Sequence, residues 1–107
     1  MNIFKLIFEG RELTCVNGGA ILNKWREPYC KEPSIDLTAY VANYLIINDV
    51  LVLDSGNFET GEEHYTCTRD IDVLKNCEIG IQSANNSCIY NELKGVLREL
   101  NLSKLIL

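Results

Sequence analysis

The chain has 107 residues, of which 47% are hydrophobic and 23% charged, and a net charge of -5. That length holds a single core and argues for one domain or part of one. Its ten Lys and Arg are scattered among fifteen Asp and Glu, which excludes the clustered cationic surface that a nucleic-acid partner requires.

In chain order, Asn2 to Phe8 reads as a strand apolar on both sides, followed by a turn at Glu9-Gly10-Arg11-Glu12. Leu13 to Val16 reads as a second strand closed by Asn17-Gly18-Gly19, so these first two strands are expected to form a hairpin. Ala20 to Trp25 starts apolar, and Arg26 to Pro33 reads as an irregular loop because both prolines fall in it. Leu37 to Ile47 and Val50 to Leu53 form the expected second hairpin, joined by Asn48-Asp49, with Asp54-Ser55-Gly56 as its closing turn. Asn57 to Thr66 is polar and acidic and reads as a solvated loop. Ile71, Leu74 and Cys77 have helical spacing, and Ile79 to Ile81 reads as a weak strand or loop. Asn85-Asn86-Ser87 offers N-cap oxygens for a helix whose stripe is Ile89, Leu93, Val96, Leu97 and Leu100. Lys104 to Leu107 closes the chain as an apolar strand. The fold class expected is α+β: a hairpin-rich mixed sheet with one or two helices on one face.

The apolar runs are too short to span a membrane, and Lys5 and Glu9 break up the first one, so neither a membrane partner nor a secretory leader is expected. Five cysteines with no Cys-x-x-Cys spacing read as reduced thiols in a cytoplasmic protein rather than as a disulfide scaffold. One histidine, His64, leaves no metal-ligand pattern, and His64-x-x-Cys67 reads as a loop histidine beside a chance cysteine. No metal and no cofactor is expected in this chain. Asp54 stands out at the end of the most hydrophobic strand; by itself it is a turn residue capping Gly56.

The run Tyr44-Leu45-Ile46-Ile47-Asn48-Asp49-Val50-Leu51-Val52-Leu53-Asp54-Ser55-Gly56 resembles the first signature of metallo-β-lactamase-fold hydrolases, where a hairpin ends in such an Asp-Ser-Gly turn. The earlier Trp25-Arg26-Glu27-Pro28 and Glu32-Pro33 are similar to the N-acyl-homoserine-lactonase-like branch. The resemblance implies that Asp54 would stand behind the metal ligands and hold their loop, and that Gly56 would be the turn glycine. It also implies that residues 1–107 are one domain or the N-terminal half of an αββα sandwich. Zinc or another divalent metal would belong to the complete enzyme, which would hydrolyse a lactone or ester. The histidine motif of that family is absent here, so this chain alone is expected to be inactive. Its partner would be the missing C-terminal half, or a second copy joined through Lys104, Leu105, Ile106 and Leu107. The alternative is a small non-enzymatic interaction module that associates through that C-terminal strand.

Overall fold

The computed structural model describes residues 2–16, 19–23 and 34–106. Its first element is a helix, α1 (Ile3–Phe8), not the expected strand. The Asn2 side chain accepts a hydrogen bond from the Phe4 N–H at 2.9 Å and caps it. Ile3, Phe4, Ile7 and Phe8 are all buried, while Lys5 and Leu6 face outward. A strand would separate these four side chains onto two faces; one helical face gathers them. The turn expected next is present, with Gly10 at φ 70 and the Arg11 N–H bonded to the Phe8 carbonyl at 3.0 Å.

Strands β1 (Glu12–Val16) and β2 (Gly19–Asn23) then form the first hairpin, with Leu13 opposite Leu22 and Cys15 opposite Ala20. The expected loop at Arg26 to Pro33, and residues 17 and 18 of the expected turn, lie outside the described residues. The single strand expected at Leu37 to Ile47 is two elements, β3 (Ile35–Leu37) and helix α2 (Ala39–Ile47). Thr38 separates them: its hydroxyl accepts from the Val41 N–H at 3.4 Å. Val41, Ala42 and Leu45 are buried at helical spacing. Asn48-Asp49 does supply the positive φ that its residue types suggested, 61° at Asp49. It serves to end α2 rather than to turn a hairpin, and the Val50 N–H reaches back to the Leu45 carbonyl at 3.0 Å.

Strand β4 (Leu51–Asn57) contains Asp54-Ser55-Gly56 instead of ending at them, and the register shifts between Leu53 and Ser55. The turn comes later. The Glu59 N–H bonds the Asn57 side chain and the Gly61 N–H the Asn57 carbonyl, both at 2.9 Å, with Gly61 at φ 71. The expected acidic loop therefore includes a strand, β5 (Glu62–Cys67).

Helix α3 (Ile71–Ile81) is capped by Asp70, whose carboxylate accepts from the Asp72 and Val73 N–H groups at 3.0 and 3.4 Å. Leu74, Cys77 and Ile81 are its buried face, so the weak strand expected at Ile79–Ile81 is its last turn. A 3-10 turn at Ala84–Asn86 leads into α4 (Ser87–Ile106). The predicted stripe is buried as read at Ile89, Leu93, Val96 and Leu100. The closing strand expected at Lys104–Leu107 is corrected: α4 runs on through Ile106, and Leu107 lies outside the described residues. Asn101-Leu102-Ser103 contains no Gly or Pro to stop the helix.

The sheet order is β3-β2-β1-β5-β4, and every described pairing is antiparallel where a mixed sheet was expected. Leu13, Ala20, Leu22, Ile35, Leu37, Leu51 and Tyr65 share one face and are buried. Helix α1 packs on β5, and α2 on β2 and β4; α1 also packs on α3 and α4. The fold is thus α+β with its core between one sheet face and a helical layer. The second face carries Glu12, Thr14, Glu62, His64 and Thr66.

Only the start of the run Val50–Leu53 is core: Leu51 is 2% exposed and Leu53 55%. Leu51→Ala is expected to lose ~2–5 kcal/mol of stability. Leu53→Ala is expected to stay within ~0.5 kcal/mol of wild type. Urea unfolding of both variants checks this, and equal losses would mean that β4 is packed along its whole length.

Candidate functional site

On the polar face, register alone brings two titratable groups together. Glu12 lies opposite Thr66, and Thr14 opposite His64, so Glu12 and His64 are diagonal neighbours across β1 and β5. His64 Nδ1 contacts the Glu12 carboxylate, and the Thr14 hydroxyl lies 3.3 Å from the same nitrogen. Nε2 faces Glu62 at 3.5 Å. Glu12 is buried, and burial pushes its carboxyl above its usual value. His64 pulls it partly back, while the charges of Asp54 and Glu62 push it further up. The arrangement orients one imidazole between two carboxylates and ties β1 to β5.

The other candidates are not brought into this cluster. His64 and Cys67 are three apart in one strand, which puts their side chains on opposite faces. Cys15, Cys67 and Cys77 are suited to packing rather than attack: burial pushes Cys77 up to about 11 and raises Cys15 and Cys67 as well. On the helix-covered face the Tyr65 hydroxyl donates to Glu63, which together with burial pushes it up to about 12.

Asp54 sits at the register shift of β4, exposed, on the wall of a cleft of about 730 Å³. Lys5, Arg11 and Arg69 line that cleft alongside Glu9, Glu12 and Asp54. Three cations thus offset three carboxylates, and the cleft selects strongly for neither sign. Gly56 is corrected from turn glycine to strand residue. It lies opposite Glu63, outside the left-handed region, and a Cβ there would meet the Glu62 carbonyl at an ordinary 3.6 Å.

Among the described residues no three His, Cys, Asp or Glu are grouped to hold an ion. Nor is any described helix long and apolar enough to cross a membrane.

The most exposed feature is the outer part of the β4–β5 hairpin. All residues from Val52 to Gly61 are exposed; Val52 is 48% accessible, and Phe58 at the tip is fully so. Asp54, Glu59, Glu62 and Glu63 lie on this arm, and no Lys or Arg occurs from position 32 to 68. Sequence reasoning passed over Glu12, Glu62 and Phe58. The alternation Glu62-x-His64-x-Thr66 was the available signal for a one-sided strand.

The raised carboxyl of Glu12 sets a pH dependence. The folded chain holds that proton more tightly than the unfolded chain, whose carboxyl titrates near 4.5. Its contribution to stability is complete below that value and is lost as pH rises through the raised one. Urea midpoints measured from about pH 4.5 upward should show this fall in wild type and a flatter profile in Glu12→Gln. Identical profiles would remove Glu12 as the group responsible.

No protein-family model, curated protein or solved structure matches the chain, so its functional reading rests on this geometry.

Proposed function

We propose that the chain is a small non-enzymatic interaction module that takes a partner's extended segment onto the edge strand β4. One observation carries the reading: among the described strands β4 pairs only with β5, and its far edge runs beside exposed Val52, Leu53 and Phe58. An edge strand keeps unpaired N–H and C=O groups, and strand addition satisfies them while alternate side chains set selectivity. The docking edge thereby moves from Lys104–Ile106, which are helical, to β4. The free Cys15, Cys67, Cys77 and Cys88 suit a reducing, cytoplasmic setting.

The second reading is half of a metallo-β-lactamase-type hydrolase, completed by a separate C-terminal half that brings the metal ligands. The placement of Asp54 beside the cleft and near Glu12 favours it. The helical Tyr44–Ile47 and the strand position of Asp54-Ser55-Gly56 weigh against the hairpin that suggested it.

Panning a random peptide library on the immobilised chain tests the module reading. Enriched peptides should alternate apolar and polar residues, protect Val52–Asn57 amides from exchange, and lose binding to Leu53→Lys. Peptides that leave β4 unprotected, or no enrichment at all, would sink it.

A further inference from the structure

We infer that the segment received by the β4 edge is cationic, an extended stretch of a partner protein that alternates Lys or Arg with apolar residues. This rests on the interaction-module reading and adds the chemistry of the partner. Two properties of the hairpin arm support it. The first is charge beside the free edge: Glu59 and Glu63 are exposed in a stretch, positions 32 to 68, that carries no Lys or Arg, whereas Asp54 shares its cleft with Lys5, Arg11 and Arg69. His64 lies between Glu12 and Glu62 on the polar face of the sheet. The second is Phe58, fully exposed at a tip held by the two hydrogen bonds that the Asn57 side chain and carbonyl accept. An aromatic face next to carboxylates suits a Lys or Arg side chain, whose stem packs on the ring while its head meets the acid.

The same features argue against a second copy of the chain as the occupant. Antiparallel pairing of two β4 strands would bring like-charged arms together, and like charges across strands are destabilising.

The test titrates the isotopically labelled chain with two short synthetic peptides, one alternating Val and Lys, the other Val and Glu. Amide shifts on Val52–Phe58 report binding. The Val–Lys peptide should bind there with an affinity that falls as salt rises, and the Val–Glu peptide should not. Glu59→Gln with Glu63→Gln should weaken Val–Lys binding about two- to tenfold, since exposed ion pairs contribute about that much. Asp72→Asn with Glu99→Gln, which removes the same charge elsewhere, should leave it unchanged. Equal binding of both peptides would keep the edge reading and overturn the cationic one. Shifts on the edge from neither peptide would overturn both. A sedimenting dimer whose own β4 amides are already protected would make a second copy the occupant and overturn the cationic partner.

Discussion

The pairing of β1 with β5 is the constraint on which the rest of the structure depends. It joins Glu12–Val16 to Glu62–Cys67, residues about fifty apart in the chain. On one side of β1 hang β2 and β3; on the other side of β5 hangs β4. Without this ladder the two halves of the sheet share no strand contact, and α1 loses the floor on which it packs. Closing so long a loop costs entropy before any contact repays it, so the pairing must be reinforced on both faces. Leu13 opposite Tyr65 does so within the core, and Glu12 with His64 does so on the polar face.

The two faces reinforce it in different ways. On the helix-covered face, Leu22, Leu51 and Tyr65 lie on the strands that α1 and α2 pack against, Leu13 joins them in the core, and burial of apolar surface is the driving term. On the polar face it is a carboxylate and an imidazole whose contact offsets only part of the cost of burying Glu12. Such a contact orients the strands more than it adds net stability, because removing two groups from water consumes most of their attraction. The helical layer is tied by polar joints too. The Thr38 N–H and hydroxyl both donate to Glu92 of α4, at 3.2 and 3.1 Å. The Asn86 amide donates to the Gly80 carbonyl at 2.9 Å and lies 3.4 Å from the Tyr44 hydroxyl, linking the α3–α4 corner to α2.

The β4–β5 arm extends beyond the part of the sheet that the helices cover. Its inner residues Val50 and Leu51 are buried, and everything from Val52 to the tip is in water. This division explains why Asp54 is no turn residue. The strand continues past the core along β5, which itself stays paired to β1 as far as Glu62, and the shift at Leu53/Ser55 falls within this exposed stretch. Of the candidate site, Asp54 was legible as a carboxylate at the end of an apolar run. The His64 partners Glu12 and Glu62 were not, since they come from segments that look like a turn and a loop until β1 and β5 pair.

Sequence by itself determined the α+β class, the buried stripe of α4, the β1 strand and the positive φ near Asn48-Asp49. Each depends on residue type or on a local repeat long enough to be unambiguous. Only tertiary structure decided that Ile3–Phe8 and Ala39–Ile47 are helices. Both runs are apolar at neighbouring positions, so a period of two and a period of 3.6 fit them equally. The layer of β-strands beneath α1 and α2 breaks that tie, because a helix places its apolar positions together on a surface that needs covering. The same holds for β5: Glu62, Glu63 and His64 have little strand preference of their own, and cross-strand partners in β1 and β4 supply it.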